Sequence, residues 1–356
     1  MRRNFIKLIS IGIGGLLLNN KMYSKYNEYY TDKGIIDLQT LNVKDKIYPK
    51  TLKKGSKIAI TAPSSPVNTW EITHTIKFFK NLGLEVIIGD TIAKQTNKFR
   101  YLSATDDERA NELMKFINNS DIEAIIFGRG GYGSGRILRL LDFNIIKENP
   151  KIYMGFSDIT MILLAINKVT GIITFHGPVA TQKLNNFTIN NFKNLFFKDK
   201  DDKLTFSLVN SSIINEGITE GEITGGNLSM ICSLMGTPYE IDTENKILFI
   251  EDVSEHAYQV DRMLTHLLNA NKLQSANAIV FNGFKNLNVR KPFYPNKGYT
   301  IKEVIEQLVK PLNKPLVYNF EFGHEENMHI IPIGVKAKLD TNKKYIEIQE
   351  NPLVYY

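Results

Sequence analysis

Short apolar runs alternate with segments of helical periodicity through the first half of the chain. Runs rich in β-branched residues predict strands at residues 57–62, 84–88, 124–127, 151–154 and 172–175. Apolar residues three or four positions apart predict helices at residues 71–82, 106–117, 135–141 and 159–169. Strands that alternate with helices indicate a parallel sheet with helices on both faces. The first half is therefore predicted to be an α/β domain.

The second half of the chain is richer in predicted strands. Strands are predicted at residues 221–224, 247–250, 278–281 and 316–320, and a closing hairpin at 335–339 and 345–348. Helices are predicted up to residue 235, at 258–268 and at 301–308. A charge run at 198–203, in a polar region that extends to residue 217, predicts a domain boundary or a long surface loop. The fold class is thus α/β, with an N-terminal parallel-sheet domain at 50–200 and a smaller, strand-rich α+β domain at 215–350.

Composition fits an ordinary soluble globular protein. The chain has 356 residues, 43% of them hydrophobic and 23% charged, which suits two domains with packed cores. The net charge of +7 is spread along the chain without a dense basic block, so no nucleic-acid partner is predicted. A positive surface would also attract an anionic substrate. The single cysteine, Cys232, excludes an intrachain disulfide and a cysteine-built zinc site.

The first 30 residues are predicted to be an export leader. Arg2 and Arg3 precede an apolar run of eleven residues, 8–18, which is too short to span a bilayer comfortably but suits a signal-peptide core. The paired arginines resemble a twin-arginine signal. No clear A-x-A cleavage site follows, so retention as a membrane anchor stays open. The predicted location is the periplasm or cell envelope, or the cytoplasm if the leader does not function.

Residues 153–160, with the sequence YMGFSDIT, predict a nucleophile elbow. An apolar strand ends at Gly155, Ser157 follows, and a helix begins soon afterwards. A serine on a sharp strand-to-helix turn is exposed for attack, and the helix N-terminus offers free N–H groups to an oxyanion. The fit is incomplete, because Ile159 stands where the α/β-hydrolase elbow has its second glycine. Capping of the helix by Ser157 or Asp158 is the alternative.

Residues 128–133, with the sequence GRGGYG, follow a predicted strand and open a helix. The pattern satisfies the dinucleotide fingerprint, but at least two strands precede it, whereas that fingerprint belongs to the first strand–helix turn. A tight structural turn is a second interpretation. The third, which we favour, is that N–H groups of Gly130 and Gly131 donate to an oxyanion or a substrate carboxylate, because this loop and the Ser157 loop lie at the same sheet edge.

A serine nucleophile needs a base and a group that orients the base. Among six histidines, His324 follows a strand and a glycine, where a loop can present its imidazole. His176 either lines the site or shapes a His-Gly-Pro turn. The others are expected to be structural or at the surface; they are His74, His256, His266 and His329. No histidine pair has the H-E-x-x-H spacing, so no metal is predicted.

Glu251 is the carboxylate best placed to orient a histidine, since it ends an apolar strand. Asp252 and Glu255 are close competitors. The sequence does not separate them, because alternate side chains of an extended segment face opposite ways.

Several motifs occur in one order, namely R-G-G-Y-G, G-F-S-D, H-G-P-V-A-T, G-G-N-L, F-I-E-D-V-S-E-x-x-Y-x-x-D-R and a later G-H. Together they resemble the LD-carboxypeptidase family of serine peptidases, which includes the microcin-immunity hydrolases, over roughly residues 53–340. The resemblance implies a triad of Ser157, Glu251 and His324. It also implies an oxyanion hole of N–H groups in the Gly130–Gly131 turn and at Asp158, no cofactor, and a homodimer. Within these motifs Asn227 is a candidate substrate contact.

The resemblance implies removal of terminal D-alanine from murein tetrapeptides during cell-wall turnover. Arg129 is a candidate for binding the terminal carboxylate, as is the helix after Ser157, although Arg129 could equally form an interdomain ion pair. Hydrolysis of a peptide-nucleotide or other acylated toxin is the alternative within the family, and a non-catalytic binder of cell-wall peptide or nucleotide is the alternative outside it. Residues 185–217 lack tryptophan, which disfavours the microcin-immunity branch, and a lid role for them stays open.

Overall fold

The computed structural model describes residues 45–94, 101–197, 203–285 and 298–355. The predicted leader lies outside these residues. Within the described ranges, no helix combines the length and the apolar character needed to cross a membrane.

The described residues form fourteen strands. They are β1 (Lys57–Thr61), β2 (Glu85–Ile88), β3 (Ile122–Phe127), β4 (Ile152–Gly155), β5 (Thr174–His176), β6 (Thr205–Ser207), β7 (Ser212–Asn215), β8 (Ile218–Asn227), β9 (Ile247–Glu251), β10 (Ala278–Phe281), β11 (Leu316–Tyr318), β12 (Ile331–Ile333), β13 (Lys336–Asp340) and β14 (Tyr345–Ile348).

Eleven α-helices lie in the same ranges. They are α1 (Thr73–Asn81), α2 (Asp90–Ala93), α3 (Asp106–Asn118), α4 (Ser134–Ile137), α5 (Phe143–Glu148), α6 (Thr160–Thr170), α7 (Asn186–Phe196), α8 (Leu228–Leu234), α9 (Ala257–Asn269), α10 (Lys272–Ser275) and α11 (Ile301–Leu308).

The first sheet has the strand order β12-β5-β4-β3-β1-β2. Strands β1 to β5 are parallel, which confirms the parallel α/β sheet that the sequence predicts. Strand β12 comes from the second half of the chain and pairs antiparallel with β5, with Ile331 opposite His176. The second half therefore closes one edge of the first sheet.

The second sheet has the strand order β6-β14-β13-β8-β9-β10-β11-β7. Strands β8 to β11 are parallel, whereas the outer strands join them antiparallel. This mixed sheet with few helices confirms a strand-rich second unit, and β13 and β14 form the predicted closing hairpin. Strands β6 and β7 lie in the region expected to be a domain boundary or a long surface loop, so the loop alternative is wrong at 205–207 and 212–215, whereas the boundary stays a prediction. Strand β6 has three residues, of which only Phe206 is buried, and β7 has four, none of them buried, so neither gives a long apolar run.

Two predicted helices are divided in the structure. Thr69–Ile72 forms a 3-10 turn before α1, where Asn68 N donates to the Glu71 carboxylate at 2.8 Å. Helix α4 ends at Ile137 and passes into another 3-10 turn. Helix α7 was not predicted; its Phe192 and Phe196 are buried, so this part of residues 185–217 belongs to the packed fold.

The two sheets share their hydrophobic cores. Alternate residues of β1 enter different clusters, with Ile58 in one and Ala59 in the other, because successive side chains of a strand face opposite ways. Strand β9 does the same, and its Phe249 joins the cluster of Ile58 while its Ile250 joins that of Ala59. Each apolar layer thus continues from the first sheet into the second.

The carboxyl ends of the parallel strands in both sheets meet in one region. Asn227, at the end of β8, donates its N–H to Thr160 Oγ1 on α6 at 3.2 Å. A Cβ on Gly226 would lie 2.6 Å from Thr160 Cγ2 and 3.2 Å from the His176 ring. Glu251 ends β9 directly beside Asn227 in the strand register. The segment that follows β4 and the end of β5 therefore converge on the ends of β8 and β9.

Candidate active site

Ser157 lies on a sharp turn between β4 and α6. Its φ of +61° is in the left-handed region, which is uncommon for a residue other than glycine. Gly155 has no room for a side chain, because a Cβ there would lie 2.8 Å from Ile159 and 3.1 Å from Phe127. A strained serine at the carboxyl end of a strand is the geometry of a nucleophile elbow. The structure therefore gives Ser157 the strand–turn–helix setting that the sequence predicts.

Asp158 connects the elbow to two neighbouring loops. Its buried carboxylate accepts hydrogen bonds from Ser64 Oγ at 2.5 Å and from Ser134 N at 2.8 Å. Its main-chain oxygen accepts from Ser134 Oγ at 2.5 Å. Neither Ser157 nor Asp158 caps the helix with its side chain, so the capping interpretation is wrong.

The glycine turn after β3 lies directly against the elbow. A Cβ on Gly130 would lie 2.7 Å from Ser157 Cβ, 2.9 Å from Ser157 Oγ and 3.3 Å from Asp158 N. The next residue, Gly131, has a φ of +92° and packs against Ser65. The main chain of this turn therefore lies beside Ser157 Oγ and Asp158 N, the region in which an oxyanion hole would need donors.

A buried arginine, which the sequence analysis missed, fixes this wall of the site. Arg109 lies on α3, and its Nη1 donates to Pro63 O and, at 2.9 Å, to Gly133 O. It thereby links the loops that follow β1 and β3. Its position four residues before Leu113, on the apolar face of the helix, is the sequence signal that could have identified it.

Glu251 and His324 form the central polar contact of the site. His324 Nδ1 lies 2.6 Å from Glu251 Oε2, and the carboxylate is fully buried. Gly323 makes this contact possible, because its φ is +69° and a Cβ there would lie 2.5 Å from Glu251 Cγ. An ionised carboxylate only accepts, so the proton lies on Nδ1 and leaves Nε2 of His324 free to act as a base.

The two groups shift each other's pKa toward the charged forms. Burial opposes ionisation of Glu251, but the attraction of His324, the polar contact with His176 and the hydrogen bond to His324 outweigh burial and hold the pKa of Glu251 well below its usual range. Burial likewise opposes protonation of His324, but the charge of Glu251 and the hydrogen bond to it raise the pKa of His324 above its usual 6.5. Glu251 is therefore ionised throughout the physiological range, and His324 gains its free base form at a higher pH than an isolated histidine.

His324 lies beside the elbow in space. Its ring packs edge-on against Phe156, the residue before Ser157, with ring centroids 4.7 Å apart. Among the hydrogen bonds of the described residues, none joins Ser157 Oγ to His324. Catalytic hydrogen bonds are often long in ligand-free enzymes and tighten only when substrate binds.

The neighbouring polar residues have structural partners. Asp252 accepts from Ser229 N at 2.9 Å and from Asn227 Nδ2 at 3.0 Å, so it holds the start of α8 rather than a histidine. Asn227 caps that helix by accepting from Met230 N at 3.2 Å. The structure thus uses the Asn227 side chain within the fold, and it distinguishes Glu251 from Asp252 as the partner of His324.

His176, at the end of β5, lies behind the Glu251 carboxylate. The histidine is 1% exposed, and its Nε2 lies 3.6 Å from Glu251 Oε1. This separation is too long for a hydrogen bond. His176 is therefore inside the site but has no access to solvent.

Arg129 forms an ion pair with Glu71, just before α1. Both residues belong to the N-terminal unit, so the predicted interdomain ion pair is wrong. The Arg129 side chain is still 40% exposed and lies beside the glycine turn. It therefore stays available to a ligand.

The remaining histidines lie elsewhere in the fold. His329 is buried and stacks on Phe320 with ring centroids 5.0 Å apart, and burial lowers its pKa to about 4. His74 Nε2 lies 2.9 Å from Gln182 O. In the part of the chain that the structure describes, no three or more His, Cys, Asp or Glu side chains are grouped to hold a metal ion.

A nucleophile elbow beside an imidazole that a buried carboxylate orients is the arrangement of a serine hydrolase. Residues 58–177 match the model of the LD-carboxypeptidase N-terminal domain, and residues 220–339 match that of the C-terminal domain. The chain belongs to the LD-carboxypeptidase family and is a peptidase.

The chain is similar both to proteins named as carboxypeptidases and to a microcin self-immunity protein. A probable murein peptide carboxypeptidase of Bacillus subtilis is 36% identical over 85% of this chain and 94% of its own length. The solved structure of a muramoyltetrapeptide carboxypeptidase from Oxalobacter formigenes is 29% identical, covers 83% of this chain and 99% of its own, and has a TM-score of 0.71. The microcin C7 self-immunity protein, solved with aspartyl sulfamoyl adenosine, is 25% identical, covers 86% of this chain and 100% of its own, and has a TM-score of 0.79.

Gly130→Ala should abolish most peptidase activity without unfolding the protein. The φ of Gly130 is outside the left-handed region, so alanine causes no backbone strain, but its Cβ would intrude on Ser157 Oγ. We expect kcat to fall by about 100-fold, because the added methyl group would displace Ser157 Oγ, and a displacement of about 1 Å at a reacting group can cost that much. Steady-state kinetics with a thermal melt would measure both quantities. Gly55→Ala is the control, because its φ of +88° strains the backbone with no atom within 4 Å; equal losses in both variants would contradict the assignment.

The acid limb of the pH profile of kcat/KM should have its midpoint above 6.5, the usual pKa of histidine. Glu251→Gln should move this limb below that pH, because burial of His324 remains while the attracting charge is gone. The maximal kcat should fall by a factor on the order of 10³ to 10⁴. Glu255→Gln, a nearby carboxylate without contact to His324, is the matched control. An acid limb that stays in place in Glu251→Gln would show that another group controls it.

Proposed function

We propose that this chain is a metal-independent serine carboxypeptidase that removes the terminal D-alanine of murein tetrapeptides, by cleaving the bond that follows the L-centre of the third residue. The observation that carries the proposal is the buried Glu251–His324 pair packed against the elbow of Ser157. Two relatives named for murein or muramoyl-peptide carboxypeptidase activity support the substrate class.

In the proposed mechanism Ser157 Oγ attacks the scissile carbonyl carbon. His324 Nε2 takes the hydroxyl proton and returns it to the departing amino group of D-alanine, while Glu251 stabilises the imidazolium formed between these steps. The carbonyl oxygen becomes negative as the tetrahedral intermediate forms, and N–H groups of the Gly130–Gly131 turn and of Asp158 donate to it. Such donors contribute about 3 to 4 kcal/mol each in other acyl-transfer enzymes. Water then hydrolyses the acyl-enzyme by the same proton route.

An exopeptidase must also bind the free carboxylate of its substrate. Arg129 supports this role because its guanidinium is partly exposed and follows the strand that leads into the glycine turn. A guanidinium carries five N–H donors, so the ion pair with Glu71 leaves donors for a second carboxylate. The net charge of +7 would attract the same anionic peptides over longer distances.

Hydrolysis of a peptide-nucleotide or acylated toxin is the second candidate. It is favoured by the resemblance of the fold to the microcin C7 self-immunity protein, with its TM-score of 0.79. Residues 185–217 contain phenylalanines but no tryptophan to stack on a nucleobase. Helix α7 buries Phe192 and Phe196 in the core, which removes two of these aromatic rings from a ligand.

The peptide assay should show release of D-alanine from murein tetrapeptide by the protein without its leader. Ser157→Ala should release none, because the nucleophile is gone, and should keep the parent's thermal melt. Ser207→Ala, an exposed serine on the edge strand β6, is the matched control and should retain full activity. Mass spectrometry would measure the released amino acid. Hydrolysis of aspartyl sulfamoyl adenosine without release of D-alanine would overturn the murein assignment in favour of the second candidate.

We further propose that the protein is exported by its leader and acts as a homodimer at the cell envelope. Changing Arg2 and Arg3 together to lysine should leave the protein in the cytoplasm, because twin-arginine signals are read through their arginines. Cell fractionation would measure the distribution, with Lys7→Arg as the control. Unchanged export of the double variant would contradict the leader assignment. A monomer in sedimentation analysis would contradict the dimer.

A further inference from the structure

His176 and Glu251 both have buried polar atoms without a hydrogen-bond partner in the described structure. Both ring nitrogens of His176 lack a partner, and so does Oε1 of Glu251. These atoms face each other, since His176 Nε2 is 3.6 Å from Glu251 Oε1. Buried polar groups in native proteins are normally paired, so unpaired neighbours of this kind need an explanation.

The Glu251 carboxylate lies between two imidazoles. Its Oε2 contacts His324 Nδ1 at 2.6 Å, and its Oε1 faces His176. The two histidines differ in access, because the side chain of His324 is 17% exposed and that of His176 is 2% exposed. His324 can therefore reach a substrate, whereas His176 can act on the reaction only through Glu251.

The surroundings of His176 fix its ring in place. Its centroid is 6.1 Å from that of Phe156 and 5.8 Å from that of Phe322. Gly226 closes a third side, since a Cβ there would lie 3.2 Å from the imidazole Cδ2. Strands β4 and β12 flank the residue on both sides of β5. A ring held in this way is suited to orient a neighbouring group.

We propose that His176 is a positioning residue: with a proton on Nε2, it faces Glu251 Oε1 at 3.6 Å and by electrostatic attraction holds the carboxylate so that Oε2 stays directed at His324. This inference rests on the proposed function, in which Glu251 orients the catalytic imidazole. Rotation of the carboxylate would lose the hydrogen bond between His324 Nδ1 and Oε2 and would also weaken the electrostatic attraction between His176 and Oε1, 3.6 Å away. His176 would therefore set the orientation of the base, His324, without touching the substrate.

The positioning role of His176 can be measured through the pKa of His324. The acidic groups that act on His324 are Glu251, Asp252 and Glu325, and the group that faces His176 is Glu251. The Nε2–H dipole of His176 partly offsets the negative charge that His324 senses. Its removal should therefore strengthen the attraction between Glu251 and His324 and raise the pKa of His324 further.

The first test uses the folded wild-type protein and needs no substrate. Nitrogen NMR of the histidine rings distinguishes the two neutral tautomers from the cation. We expect a proton on Nε2 of His176, the ring nitrogen that faces Glu251 Oε1. A His176 ring whose Nε2 carries no proton would overturn the proposal.

The second test compares His176→Phe, His176→Gln and His329→Phe. His176→Phe removes the donor and should lower kcat by about 10- to 100-fold, the usual effect of losing a group that orients a catalytic ligand, with little change in KM. It should also raise the NMR titration midpoint of His324. His176→Gln keeps an N–H donor. Its kcat and its His324 titration midpoint should therefore lie between those of His176→Phe and those of the wild-type protein. His329→Phe is the matched control, since it also replaces a buried histidine, but one whose ring contacts are Phe187, Phe206 and Phe320.

A merely structural role gives a different result. It would lower the melting temperature in His176→Phe and His329→Phe alike and leave the titration of His324 in place, which would refute the positioning role. If wild-type protein cleaves no murein peptide, the proposed function fails, but the NMR titration of His324 still decides the role of His176. If His176→Phe does not fold, the glutamine variant and the wild-type tautomer decide it.

Discussion

The buried contact between Glu251 and His324 is the interaction on which the site depends. A carboxylate that is fully buried needs a partner to remain ionised, and His324 Nδ1 at 2.6 Å provides it. The same contact fixes the ring so that Nε2 is available beside the elbow. The contact also constrains the residue at position 323, because a side chain there would collide with Glu251. Gly323 therefore lets His324 approach the carboxylate.

The fold brings these residues together by joining two sheets rather than by closing a loop. Glu251 ends a strand of the second sheet, and Ser157 follows a strand of the first. His324 lies between β11, which belongs to the second sheet, and β12, which pairs with β5 of the first. The segment that carries the imidazole is thus anchored in both sheets. Since both hydrophobic cores also continue across the two sheets, the packing of both sheets together holds the geometry of the site.

The sequence predicts the parts of this account that are local in the chain. Apolar periodicity identifies the parallel strands, and the order strand, glycine, serine, helix identifies the elbow at Ser157. Contacts between distant residues were less accessible. Glu251 and Asp252 are adjacent, and spacing along the chain alone does not separate them; the hydrogen bond between Glu251 and His324 does. Tertiary packing determines the ion pair between Arg129 and Glu71, the pairing of β12 with the first sheet and the burial of Arg109. Strands of three residues such as β6 are too short to be recognised from apolar periodicity.

The most direct test of the central claim is the reaction of the protein with a fluorophosphonate, in which Ser157 Oγ would form a bond to phosphorus as fluoride leaves. Peptide mapping by mass spectrometry would locate the adduct, and its rate would be followed against pH. We predict one adduct, on the peptide that contains Ser157, with a rate that rises as His324 loses its proton and that falls sharply in His324→Ala. An adduct at another residue, or equal rates with and without His324, would contradict the claim that Glu251, His324 and Ser157 act as one catalytic unit.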